Sequence, residues 1–436
     1  MTDATVETGA PRAPPLTIRS VHVAAAVIGN ALEFYDFSTY AFFAVQIGKT
    51  FFPGHTPFES LMLSLATFGV GFVGRPIGAA IIGLYGDRVG RKPAMFISLA
   101  MMGVSILALA LTPSYAAIGI AAPVIVLIAR VVQGLALGGE IGPTTAFLIE
   151  AAPEDRRGLY GCWQYASQSV ATLVGGLVGF ALTRSLDAQD LQAWGWRVAF
   201  LIGAVVLPLG LVIRRNLPET LEIEPPAASG LPIVRTPYAR IAALGFVMIS
   251  MSTVSTYVLS YMNTFATQTL HLSASVGFAA TIVWGIFGFG FNILGGWLSD
   301  KVGRKPVMIW PRLVYLLAIF PAFYLVTTQL TAAVFLLSVT LLGALNAFSN
   351  GAALICLSEG IPKRVRSAAL AVVYALGIAI FGGLTQPVVA WLLHVTGTAM
   401  APAYCLIGAT ALSIVAMALM KETTPSVLRH KGLASA

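Results

Sequence analysis

The chain has 436 residues, of which 57% are hydrophobic and only 10% charged, and its mean hydropathy is +0.84. A soluble domain carries about 25% charged residues, so a soluble globular protein is excluded and a bilayer-embedded one is indicated. The net charge of +8 would suit a nucleic-acid partner, but Lys and Arg gather in alternate loops, as the positive-inside rule requires.

Residues 1–20 are polar and carry Pro11, Pro14 and Pro15, a composition expected of a disordered cytoplasmic tail. No cleavable signal is expected, because the first apolar run is long and contains Glu33 and Asp36. Apolar runs of about 20 residues, each long enough to cross a bilayer as a helix, then recur along the chain. The alternating period of a membrane barrel is absent. Twelve spans are predicted at roughly 21–46, 59–84, 93–112, 118–148, 158–183, 196–215, 239–268, 274–298, 306–327, 331–357, 367–394 and 400–420. The expected fold class is all-α integral membrane, with one six-helix half over 21–216 and another over 239–420. A Pro- and Glu-rich linker, 217–238, joins them, and a tail, 421–436, follows. Basic residues such as Arg156, Arg157, Arg235, Arg240, Lys363 and Arg364 fall on one side of this map; Lys49, Arg184 and Arg197 fall on the other. Both termini and the linker are therefore expected to be cytoplasmic.

One stretch occurs twice. Gly83-Leu-Tyr-Gly-Asp87-Arg88-Val-Gly90-Arg91-Lys92-Pro93 is answered by Gly296-Trp-Leu-Ser-Asp300-Lys301-Val-Gly303-Arg304-Lys305-Pro306. Glu150 and Pro153 with Arg157 are echoed by Glu359 and Pro362 with Arg366, and Glu219-Thr220 by Glu422-Thr423. A period of about half the chain means two copies of one unit.

The doubled loop, together with Arg130-xx-Gln133-Gly134, resembles the major facilitator superfamily. Gly29-Asn30-x-Leu32-Glu33-xx-Asp36-Phe37, Arg75-Pro76-Ile77-Gly78, Gly138-Gly139-Glu140 and Gly195-Trp196-Arg197 are similar to its metabolite:proton symporter branch. Thr50 to Pro53, Trp163 to Gln168 and Gly383-Leu384-Thr385-Gln386 look most like the branch's citrate and tricarballylate members. The resemblance implies proton-coupled uptake of a small carboxylate by a monomer of the inner membrane, without cofactor or metal. Other organic acids or zwitterions, of the α-ketoglutarate, shikimate or betaine/proline type, are the alternative. An enzyme is not expected: no nucleophile–base pair, metal spacing or nucleotide loop is present.

Ionisable residues at membrane depth are functional candidates by default. In span one, Asn30, Glu33, Asp36, Phe37 and Tyr40 share a helix face. The two carboxylates lie about 18–22 Å in from residue 21, near the midplane, and with Glu140 of span four they are the proton-coupling candidates. Arg75 lies at a similar depth, about 18 Å from Asp87, and Arg130 is in span four; a guanidinium fork binds carboxylates bidentately. Further substrate-binding candidates are Gln164 and Gln168 in span five, Tyr257 and Tyr261 in span seven, and Asn346, Ser349 and Asn350 in span ten. Arg312 lies within about 10 Å of a cytoplasmic loop, and snorkelling is expected of it. His394 is expected at headgroup level. The repeated loops are expected to latch the cytoplasmic side through Asp87, Arg88, Arg91 and Glu150 and through Asp300, Lys301, Arg304 and Glu359, with Arg91–Glu150 and Arg304–Glu359 as pairs. Cys162, Cys356 and Cys405 have no disulfide or metal spacing and are expected as small apolar residues.

Overall fold

A lipid core offers no partner for backbone N–H and C=O groups, so apolar runs of this length fold as helices, which satisfy their own backbone. The computed structural model describes residues 20–89, 91–138, 145, 148, 149, 152–215, 236–361 and 363–430. The expected tails, apart from residues 20 and 421–430, lie outside these, as do residue 216 and most of the expected linker (217–235). Glu140 and Glu150 also lie outside the described residues, and at Asp87, Arg88 and Arg91 only the helical backbone is described.

The described elements are helical: α1 (Ser20–Phe42), α2 (Ala44–Phe51), α3 (Pro57–Val89), α4 (Arg91–Leu111), α5 (Tyr115–Ile118), α6 (Ala121–Gly138), α7 (Arg157–Gly161) and α8 (Trp163–Ser185). There follow α9 (Trp196–Arg215), α10 (Thr236–Gln268), α11 (Ala274–Val302), α12 (Arg304–Gln329), α13 (Ala332–Gly360), α14 (Lys363–Gly377), α15 (Gly383–Thr396), α16 (Ala401–Leu419) and α17 (Pro425–His430). A π-helical turn, Leu191–Gly195, leads into α9, and another, Ile378–Gly382, joins α14 to α15. Among the described residues, nine helices are long and apolar enough to cross a membrane.

Glycine sets how closely the helices approach. Gly71, Gly74 and Gly78 of α3 pack against the backbone of α6. A Cβ at Gly78 would collide with the Leu135 carbonyl, and one at Gly138 with the Arg75 carbonyl. Helices in lipid gain little from hydrophobic association and are held by such close contact. The crossing also sets Arg75 of α3 and Arg130 of α6 near each other. Two long contacts join helices distant in sequence: α8 lies along α11, and α3 along α15. In the second, Gly69 meets the backbone of Gly383. Towards the start of α3 and the end of the antiparallel α15, Phe58 stacks on His394 with centroids 3.9 Å apart. The histidine expected at headgroup level thus has an aromatic partner across that contact. Cys162 and Cys356 are buried free thiols and Cys405 is half-buried.

Gly78→Ala is expected to lower the melting temperature of the detergent-purified protein, since overpacking costs about 1–3 kcal/mol. Gly408→Ala, inside α16 where a Cβ meets nothing within 4 Å, should hold it or raise it slightly, since Ala is the better helix former. Equal melting curves for the two variants would show that the α3–α6 crossing has slack.

Candidate functional site

A cavity of about 80 Å³ lies between α1, α3, α8, α10, α11 and α13, room for several water molecules. Its wall includes Phe37, Gln168, Tyr257, Ser260, Asn346 and Asn350. Four of the expected substrate-binding residues, Gln168, Tyr257, Asn346 and Asn350, therefore converge on one chamber.

The charged residues sit just behind this wall. Arg75 is 2% exposed. Its guanidinium carbon is 4.5 Å from the ring centroids of both Phe37 and Phe72, and Tyr257 lies beside it. None of its three side-chain nitrogens meets an acceptor in hydrogen-bonding geometry. Arg130 is fully buried, lies 4.5 Å from the Tyr40 centroid and 4.9 Å from that of Phe37, and donates to Gln133 Oε1. Asp36 is also fully buried, and neither carboxyl oxygen accepts a hydrogen bond. Arg130 is near enough to act on it electrostatically. Glu33 is buried one turn earlier on α1. Burying a charge is costly unless it is paired, so the arginines and Asp36 each gain from a partner of opposite sign. Aromatic faces solvate the guanidinium groups partially, through the ring quadrupole.

Other expected residues are engaged between helices. Asn30 Nδ2 donates to Ser167 Oγ (2.6 Å) and the Gln164 carbonyl (3.1 Å), and Gln164 Nε2 donates back to Asn30 Oδ1 (3.2 Å), tying α1 to α8. Ser349 Oγ donates to the Met308 carbonyl at 2.8 Å. Tyr261 is buried in an apolar cluster with Leu65 and Phe265. Tyr165 and Tyr374, which interact with each other, lie between Arg75 and Arg312. Neither was singled out by sequence, since a lone tyrosine in an apolar span carries no local signal.

Arg312 corrects the snorkelling expectation. It is fully buried and donates to Asn346 Oδ1 and Asn350 Oδ1 at 2.7 Å and to Ser252 Oγ at 2.8 Å. A long cationic side chain reaches for water when nothing inside solvates it; here three oxygens from α10 and α13 do. The pair Asn346 and Asn350, four residues apart opposite an in-span arginine, was the signal available.

The second copy of the repeated loop forms a buried ionic cluster. Asp300 accepts from the N–H groups of Gly158 (2.7 Å) and Leu159 (2.9 Å) at the start of α7. Arg304 is fully buried and bridges Asp300 (2.7 Å) to Glu359 (3.1 and 3.2 Å). The expected Arg304–Glu359 pair is thus formed. Lys301 instead lies over the Trp297 ring at 3.8 Å. Gly303, at φ 108°, takes a turn that residues with a Cβ resist, and as helix cap it offers α12 no side chain. Glu422 supplies the cap, accepting from the N–H groups of Arg304 and Lys305 at 2.9 Å. Partial burial of Glu422 acts to raise its pKa, but hydrogen bonds from Thr424 and from the N–H groups of Lys305, Arg304 and Thr424 outweigh it and hold the carboxyl below its ordinary value. Among the described residues no cluster of three His, Cys, Asp or Glu is placed to hold a metal.

Apolar helices long enough to span a bilayer, closed around a polar chamber with buried charge behind its wall, define a multi-pass membrane protein. Residues 26–382 match the Major Facilitator Superfamily, and the chain belongs to that family. It is 36% identical over 403 residues to the citrate-proton symporter of Salmonella typhi, covering 90% of this chain and 92% of the relative. It is 37% identical over 383 residues to the citrate-proton symporter of Klebsiella pneumoniae, covering 86% of each. The crystal structure of a D-xylose-proton symporter has the same fold, with a TM-score of 0.75 at 21% identity over 93% of this chain and 98% of that one.

The Glu422 cap makes a pH prediction. A carboxyl whose folded pKa is depressed contributes stability that is present above its unfolded value and lost as pH falls through the folded one. Thermal stability should therefore fall as pH drops below the ordinary glutamate value of 4.5. Glu422→Gln should be less stable at pH 7 and show a shallower decline under acid. Parallel curves for the two proteins would remove Glu422 from the acid response.

Proposed function

We propose that this protein is a secondary active transporter that takes up a small carboxylate, citrate first, together with protons, by alternating access. The observation that carries the reading is the set of three buried arginines, Arg75, Arg130 and Arg312, behind the wall of one chamber, with the buried Asp36 among them. A cationic chamber suits an anion, and the citrate-proton symporters at 36% and 37% identity support the choice of substrate.

The coupling follows from charge. Ionised Asp36 draws on Arg130. Protonation removes that competitor and leaves both Arg75 and Arg130 to an incoming carboxylate, so proton and anion favour each other's binding, which is a reciprocal coupling. Glu33 and Glu140 are the further candidates for the proton. Gln168, Tyr257, Asn346 and Asn350 orient the substrate from the chamber wall. The architecture we infer is twelve spans in two pseudo-symmetric six-helix halves, 21–216 and 239–420, working as a monomer in the inner membrane. The linker and both termini are cytoplasmic. The Asp300–Arg304–Glu359 cluster, with its counterpart at Asp87, Arg88, Arg91 and Glu150, closes the cytoplasmic side while the halves rock about the site.

Proteoliposomes with an inward pH gradient are expected to accumulate citrate. Asp36→Asn should keep citrate exchange and lose gradient-driven accumulation; accumulation at the wild-type level would exclude Asp36 as the proton site. Arg75→Lys keeps the charge but not the fork and should weaken citrate affinity about tenfold or more. Unchanged affinity would make Arg75 a packing residue. A cysteine introduced at Ser229 should be labelled only from the cytoplasmic face, and labelling from outside would break the twelve-span map.

A further inference from the structure

We propose that Arg312 is a positioning residue. By claiming the amide oxygens of Asn346 and Asn350 it turns both amide nitrogens towards the chamber, making a pair of N–H donors for a substrate anion. The inference rests on the carboxylate reading above and deepens it.

A guanidinium carries donors and no acceptor. The two 2.7 Å contacts from Arg312 therefore require that Asn346 and Asn350 face it with oxygen. The amide orientation, which an isolated asparagine leaves open, is decided here by chemistry. Oδ1 and Nδ2 lie in one plane on opposite sides of the Cβ–Cγ bond, so an oxygen turned to Arg312 leaves each nitrogen directed away from it, and both residues line the chamber. Asn346 Nδ2 lies 3.4 Å from Thr256 Oγ1, another wall residue. Among the described residues no ion pair reaches Arg312, so its charge polarises the two amides without being neutralised. Charge-assisted bonds are the stronger kind, and polarisation passes along such a chain, so the outward N–H groups gain donor strength. Asn346 and Asn350 are one helical turn apart, about 6 Å of rise. That spacing matches two separate oxygen functions of one anion better than the two oxygens of a single carboxylate. The ligand class is a hydroxy- or polycarboxylate, and a monocarboxylate engages only one of the two amides.

The test uses the full chain purified in detergent, with affinity read from citrate-dependent thermal stabilisation. Asn350→Asp is nearly isosteric and gives Arg312 a charged partner, but it replaces a donor with an acceptor. We expect melting temperature without ligand to be held or raised, citrate affinity to fall about tenfold or more, and the wild-type preference for citrate over acetate to shrink. Retained citrate affinity in this variant would overturn the proposal, because a network that only holds helices together survives the change. Arg312→Lys should also weaken citrate binding, and should cause no further loss when added to Asn346→Ala/Asn350→Ala. A further loss in that background would mean that Arg312 touches the substrate itself, which overturns the positioning role. If the wild-type protein neither binds nor accumulates citrate or another carboxylate, the functional reading fails and takes this inference with it. Wild-type binding with an indifferent Asn350→Asp sinks the inference alone.

Discussion

A guanidinium inside a bilayer has to be solvated by protein, and much of this molecule is arranged around that requirement. Three arginines are buried to 2% exposure or less behind one chamber, and each is met differently. Arg75 lies between two phenylalanine rings. Arg130 has three aromatic faces and Gln133. Arg312 has three oxygens. Rings lower the cost of the charge without supplying the hydrogen-bond acceptors a guanidinium seeks, whereas amide oxygens supply them. The first two arginines thus keep donors without an acceptor, and the third is committed to its neighbours. Asp36, buried with no donor to its oxygens, adds a titratable group to the set, and the proposed coupling turns on its protonation.

The charges at the repeated loop obey the same rule with a different outcome. Arg304 is as buried as Arg130, but Asp300 and Glu359 neutralise it, and Asp300 is further held by the N–H groups that open α7. Removing Arg304 from such a cluster is strongly destabilising, because it leaves two carboxylates buried without their cation. The cluster is therefore fixed by its own members. The chamber, whose charges have few internal partners, is suited to responding to what enters it.

Much of the fold was legible in the sequence, since hydropathy and loop charge are set by the bilayer. The described helices from α8 onward begin and end close to the predicted spans. The site was legible in part. Arg75, Asp36 and Arg130 announced themselves as charges deep in apolar runs. Asn30 and Gln164 were equally conspicuous, but they bond each other between α1 and α8, and which side of a polar helix face meets a chamber is decided by packing. Arg312 was misjudged because depth along a helix reports distance from water, not the presence of three acceptors on two other helices. The Glu422 cap was visible only as one half of a sequence echo; that it reaches α12 from more than a hundred residues away is a property of the tertiary fold.

The approach of Gly69 to Gly383 has a mechanical consequence. Where two backbones touch there is no side chain to reorient and no rotamer entropy to lose. The contact therefore keeps the same character as α3 and α15 tilt against each other. Gly383 opens α15 and Gly69 lies about a third of the way along α3, while the Phe58–His394 stack lies further along the same contact, about three helical turns from the glycines on each helix. Any tilt about the glycine contact would displace that aromatic end the more for its distance, with no interlocked side chains at the pivot to resist it.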